Sequence, residues 1–173
     1  VDMTASWAGE AADLPVELAS VEQAQSLDQP DTYDVILLAA ILEHLYDPAL
    51  CLRRVHAALS RGGLVFIDVP NECGLWTRAG NAYMRARGRD WAINLSPTFP
   101  PFHVVGFCPA SLRKLLASCG FDIVELTTHR WQNELPARPG PMARAETLAA
   151  ELALTLGASI GMGAGITCWA RKQ

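Results

Sequence analysis

The amino-acid sequence predicts an α/β fold built on a parallel strand-helix-strand unit, and three observations carry that expectation. Val35 to Leu42 is an uncharged run rich in leucine and β-branched residues, too short for a bilayer span and suited to a strand covered on both faces. Asp47-Pro48 then marks a helix start, because aspartate accepts orphan amide hydrogens and proline has none to leave unpaired. A second apolar run, Leu64 to Val69 (LVFIDV), follows that helix and is broken only by Asp68. Short connections between such elements make the two strands parallel. In open α/β sheets ligands bind at the loops after the carboxyl ends of the strands, where this sequence carries Glu43 and His44.

With 173 residues, half of them hydrophobic, the chain is expected to be one domain, 1–173, able to bury a core. A net charge of -4 and a pI near 5.5 leave no concentrated positive surface, so neither nucleic acid nor membrane is an expected partner. The five cysteines are scattered, without a CxxC pair or metal-ligand spacing, which is the pattern of reduced thiols in a cytoplasmic protein. Leu152 to Ala170 holds no charged residue. Its glycines (157, 161, 163 and 165) and its ending ITCWA make it a helix end, a turn and a buried strand rather than a membrane span.

The other elements follow in order. Residues 7–14 are weakly helical, Val16 to Ser20 can form a short strand, and Gln29-Pro30-Asp31 is turn chemistry. After the Asp47-Pro48 cap, Leu52, Val55, His56 and Leu59 recur at helical spacing, and Gly62-Gly63 is expected to close that helix. Pro70-Asn71 breaks the second strand and opens an insertion at about 71–108. Within it, Leu75, Trp76, Ala79, Tyr83 and Met84 fit one helical face, and Arg78, Arg85 and Arg89 another. The segment 95–107, LSPTFPPFHVVGF, is too rich in proline for a helix or central strand and is expected to be an aromatic lid. Pro109 starts a helix with Leu112, Leu115, Leu116 and Cys119 inward, and Gly120 closes it. Phe121 to Leu126 is a strand, 142–156 a helix, and Gly165 to Ala170 the last strand.

YDVI…ILEHLYDP at 33–48, RGGLVFIDVPN at 61–71, HVVGFCPASLRKLLASCGFDIV at 103–124 and GITCWARK at 165–172 stand in this order. In combination they resemble the class I S-adenosylmethionine-dependent methyltransferases, in particular the group with the ubiquinone-biosynthesis O-methyltransferases. The resemblance runs from about residue 31 onward. It implies a Rossmann-like sheet, mostly parallel with an antiparallel last strand, in which 33–42 is the fourth strand. The family's first strand and glycine-rich loop would precede Val1, and the chain is expected to lack them. S-adenosylmethionine is the implied cofactor, and a small molecule methylated at oxygen the implied acceptor. Asp2 matches the carboxylate that binds the ribose hydroxyls, since a carboxylate accepts two hydrogen bonds from a vicinal diol; it can equally be an ordinary terminal aspartate. Ser20 and Val21 match the adenine contact, and Ala39 the position whose backbone lies against the cofactor. A tight strand end would want a small residue at 39 in any case.

Methyl transfer from a sulfonium needs in-line approach, and a base only where the nucleophile carries a proton. His44 and His103 are the candidate bases; His103 can alternatively anchor the lid, and Glu43 with His44 can simply fix their loop. Some relatives bind a divalent metal with a further glutamate three residues before the one matching Glu43. Ala40 stands there in this chain, so no metal is expected. Asn71 could orient an acceptor through its amide. The main rival to an enzyme is a non-catalytic methyltransferase-like module. An NAD-type dehydrogenase is disfavoured because no GxGxxG follows a strand.

Overall fold

The computed structural model describes residues 17, 19–90, 92, 94–95, 102–130 and 140–173. The expected helix at 7–14, Asp2 and residues 96–101 of the aromatic lid lie outside them. Glu17, Ala19 and Ser20, the described part of the expected strand at 16–20, are not in a strand. The elements in chain order are β1 (Tyr33–Ala39), α1 (Pro48–Ala58), β2 (Leu59–Pro70), α2 (Leu75–Ala86), α3 (Pro109–Ser118), β3 (Phe121–His129), α4 (Pro141–Ser159) and β4 (Gly165–Lys172).

Among the described residues the strands form one sheet in the order β1-β2-β4-β3. β1 and β2 are parallel, while β4 runs antiparallel to β2 on one side and β3 on the other. Three strands therefore share a direction and the last is reversed, as the resemblance implied. Its place between β2 and β3 makes two of the three ladders antiparallel.

Asp47 caps α1 as expected: its Oδ1 accepts the Leu50 amide hydrogen at 2.9 Å, and Pro48 occupies the first helical position. Asp47→Ala should cost about 1 kcal/mol, read as a shift in the chemical denaturation midpoint. Cys51, Leu52, Val55 and Ala58 form the buried stripe of α1. They share one core with Leu38 of β1, Val65, Ile67 and Val69 of β2, and Ile166, Cys168 and Ala170 of β4. Leu112 and Leu116 of α3 enter the same core, so α1 and α3 cover the same face of the sheet.

Two expectations are corrected. Gly62-Gly63 does not close α1; the helix ends at Ala58 and β2 begins at once with Leu59. The glycines lie inside β2, and Gly62, at φ 76°, accompanies a slip in register from Tyr33 opposite Leu59 to Val35 opposite Leu64. Strand pairing there satisfies backbone groups that a longer helix would have satisfied locally. The second correction concerns β1, expected to be covered on both faces, which is the sheet's edge among the described residues. Leu38 is buried, but Val35 and Leu37 are 48% and 61% exposed on the opposite face. An apolar run shows that a strand can be covered twice, not that it is.

α2 also differs from its expected face: Thr77 is its buried residue, Leu75 and Trp76 are half-buried, and Ala79 and Tyr83 are exposed. It leans on α4, and the Tyr83 hydroxyl hydrogen-bonds Glu146. α3 matches its expectation, with Leu112 and Leu116 buried and Gly120 at φ 84° after its end. Residues 152–170 divide into the end of α4, a turn and β4 as expected. No helix among the described residues is long and apolar enough to cross a membrane.

Candidate active site

Because β1 and β2 are parallel, their carboxyl ends open on the same edge of the sheet, and the polar step of the sequence sits there. Ala39 ends β1 exposed. Ala40 follows at φ 51°, a left-handed conformation unusual for a residue with a Cβ, and its amide donates to the Asp68 carbonyl at 2.9 Å. That bond turns the chain out of the sheet and into the short 3-10 turn Leu42–His44.

The turn captures a segment some sixty residues downstream. The Glu43 carbonyl accepts the amide hydrogens of Val104 at 2.8 Å and Val105 at 3.1 Å. His44 Nδ1 donates to the Phe102 carbonyl at 3.0 Å, which fixes its tautomer when neutral and leaves Nε2 without a proton. These bonds carry His103 to the strand end, where its ring centroid lies 4.8 Å from that of His44. His44 Nε2 is 4.0 Å from Glu43 Oε1, too long for a hydrogen bond. The two expected bases are thus brought together, and the backbone of Glu43, not its carboxylate, is what holds the loop.

Glu43 is 1% exposed, and neither carboxylate oxygen has a hydrogen-bond partner. Burial is the main reason its acidity is weakened; Asp68 adds to the effect, while its own backbone amide and His44 oppose it. His103 moves in the sense that favours the neutral ring. Burial lowers its pKa first and the neighbouring His44 adds to that, against a hydrogen bond to the Asn94 backbone. His103 Nδ1 is buried and has no partner, which leaves Nε2 for the Asn94 contact. A neutral imidazole whose Nδ1 lone pair is unshared can accept a proton.

The raised Glu43 pKa also bears on stability. The unfolded carboxyl ionises at its ordinary value, whereas the native one holds its proton to higher pH. The folded state then binds more protons in that window, so stability falls as pH rises from the ordinary carboxylate value through the raised one. Glu43→Gln should gain melting temperature relative to the parent at about pH 8 and lose that advantage at about pH 4, checked by thermal unfolding at both.

Ligand atoms of Glu43, His44 and His103 lie within 4.8 Å of one another. One carboxylate and two imidazoles could hold a borderline divalent ion, but offer too few oxygens for a hard cation. Ser20 accepts the Gln23 amide in a turn, and Val21 packs on the core while its carbonyl, with those of Glu22 and Ala24, is gripped by Arg54 of α1. Asp2 lies outside the described residues.

Asn71 follows β2 at the same edge, but its amide is spent within the chain. Nδ2 donates to the Gly163 carbonyl at 2.7 Å and Oδ1 accepts the Cys73 amide hydrogen at 3.0 Å, with the residue 1% exposed. Its backbone amide bonds Ala164, and its carbonyl receives Thr77 and Gly74. The side chain closes the junction of β2, α2 and the turn before β4.

One polar pair at this edge escaped the sequence. His129 Nε2 lies 3.0 Å from Asp68 Oδ1, joining the ends of β3 and β2 across β4. Asp68 was visible as the single charge in LVFIDV, but nothing in the spacing named its partner.

The chain was compared with known proteins. A methyltransferase-domain family matches residues 6–126. A ubiquinone biosynthesis O-methyltransferase of Aeromonas salmonicida is 30% identical over 99 residues, which is 57% of this chain and 39% of that protein. One of the same name from Nitrosospira multiformis is 29% identical over 109 residues, covering 62% and 43% respectively. The chain thus spans about two fifths of the length of these curated relatives. A SAM-dependent methyltransferase from Archaeoglobus fulgidus superposes with a TM-score of 0.54 at 17% identity, covering 91% of this chain and 66% of that one. A SAM-dependent methyltransferase and possible histamine N-methyltransferase from Thermotoga maritima gives 0.51 at 15%, covering 84% and 58%. At these identities the two structures speak for the fold, a methyltransferase-type α/β sheet. The matched family accounts for well over half of the chain, which therefore belongs to the methyltransferase-domain family.

Proposed function

We propose that this chain forms part of an S-adenosylmethionine-dependent methyltransferase that methylates a hydroxyl oxygen of a small molecule, with His103 as the base. The observation that carries the reading is the buried, unpartnered Nδ1 of a histidine whose pKa is lowered, held at the carboxyl edge of β1 and β2 by the Glu43–His44 turn. S-adenosylmethionine, when bound, supplies a methyl carbon already activated by the sulfonium charge. The chain's part is to hold the acceptor and take its proton. His103 Nδ1 receives the hydroxyl proton, and His44, fixed through Nδ1 to Phe102, limits the motion of the neighbouring ring.

The exposed Ala39 and the left-handed Ala40 suit the cofactor, because they present backbone with little side-chain bulk at the strand end. Ser20, Val21 and Asp2 are the other residues that would contact it. Asn71 is a positioning residue in this reading, since its amide is already engaged. The names of the curated relatives favour oxygen as the methylated atom. The reading needs no metal, so activity should survive exhaustive treatment with EDTA; loss of activity restored by one divalent ion would assign that ion to the Glu43, His44 and His103 group.

Titration of S-adenosylhomocysteine against this chain and against a version extended upstream tests the reading. Binding by the extended protein, with methyl transfer to a small-molecule hydroxyl, supports it. Failure of both proteins to bind would instead favour the non-catalytic module.

A further inference from the structure

The two ends of the 71–108 insertion meet side by side, and each carries a cysteine. Asn71 and Phe107 form a parallel bridge, and the Glu72 amide donates to the Phe107 carbonyl at 2.8 Å. Cys73 and Cys108 follow this parallel bridge on its two sides, which makes them neighbours, and each thiol lies near enough to act on the acidity of the other. Cys73 is exposed and Cys108 half-buried, so both can be reached from solvent. Cys51, Cys119 and Cys168 are buried, and burial pushes the thiols of Cys51 and Cys168 up to about 11.

The two thiols are also unequal. Cys108 is the N-cap of α3: its sulfur accepts the Ser111 amide hydrogen, and its own amide donates to Ser111 Oγ at 2.9 Å. Hydrogen bonds from Ser111, its side chain first and then its backbone, hold the Cys108 pKa below the ordinary thiol value. Desolvation and the neighbouring Cys108 hold that of Cys73 above it. One thiol is therefore the better nucleophile and the other stands beside it to resolve what forms.

We propose that Cys73 and Cys108 are a redox pair that hydrogen peroxide closes into a disulfide across the base of the insertion. The Cys108 thiolate attacks one peroxide oxygen; an S–O bond forms, the O–O bond breaks, and the leaving hydroxide takes up a proton as water. Cys73 sulfur then attacks the sulfenic sulfur, an S–S bond forms and the S–O bond breaks. The proton lost from Cys73 leaves with that oxygen as a second water. Two thiols and one peroxide thus give one disulfide and two waters. The bond would lock the junction of β2, α2 and α3 that leads from Asn71 on one side and from His103 on the other. The inference does not depend on methyl transfer.

The test is to expose the reduced 173-residue chain to hydrogen peroxide, count thiols and map unreduced peptides by mass spectrometry. The expected result is loss of two of the five thiols, recovered as a single Cys73–Cys108 crosslink within one chain and reversed by dithiothreitol. Serine is a good N-cap, so Cys108→Ser keeps α3 intact; in it, oxidation of Cys73 should slow about tenfold or more. In Cys73→Ser, dimedone should label Cys108 as the trapped sulfenic acid. Crosslinks between chains, pairing that involves Cys51, Cys119 or Cys168, or dimedone labelling confined to Cys73 would overturn the proposal.

Discussion

Replacing His103 with alanine in the upstream-extended protein should slow methyl transfer to a hydroxyl acceptor about 10²- to 10⁴-fold, the usual contribution of a positioned base. Affinity for S-adenosylhomocysteine should change little, because the step lost is proton removal from the acceptor. The rate of the parent should fall on the acid side as His103 takes up a proton. Because burial and His44 lower its pKa, that fall should lie below the ordinary imidazole value. The alanine variant should lose this limb of the profile. An unchanged turnover number, or an acid limb that survives the substitution, would remove His103 as the base and leave it as an anchor of the segment that Glu43 and His44 hold.

Asn71→Ala should destabilise the protein by about 2–4 kcal/mol, since it strands the Gly163 carbonyl and the Cys73 amide in a buried site. Asn71→Asp should cost less on the Cys73 side, where the acceptor oxygen is kept, and more on the Gly163 side, where a donor becomes a repelled carboxylate. Equilibrium denaturation of both variants reads this directly. A variant that kept its stability and lost only acceptor affinity would return Asn71 to the role of an acceptor ligand. The distinction matters because the residue stands where an acceptor-binding amide would be sought, at the end of β2.

Local chemistry was readable wherever neighbours in the chain decide it. Asp47-Pro48 caps α1 because an aspartate and a proline at adjacent positions satisfy the first turn whatever lies beyond. The apolar runs at 33–39 and 64–69 are strands, and the uncharged stretch 152–170 is a helix end, a turn and a strand. His44 and His103 could be selected as candidate bases because few side chains near the strand ends can take a proton, and the fold brings the two rings together.

Other features depended on partners distant in the chain. The run at β1 is equally apolar on both faces, yet Val35 and Leu37 are exposed, because coverage depends on what packs there. Gly62-Gly63 had the chemistry of a helix stop, but pairing with β1 drew the chain into β2 before the glycines were reached. Asn71 had a free-looking amide until the turn at Gly163 was folded against it.

The sequence by itself determined the α/β class, the strand and helix starts and the residue types available for chemistry, since capping, glycine freedom and hydrophobic periodicity act over a few residues. Only the tertiary structure decided that β4 enters between β2 and β3, that Glu43 and His44 reach across to seat His103, that Asp68 meets His129 and that Cys73 meets Cys108. Each of these is a pairing of groups far apart in the chain, fixed by closing a long loop and burying a shared face, and local spacing carries no record of it.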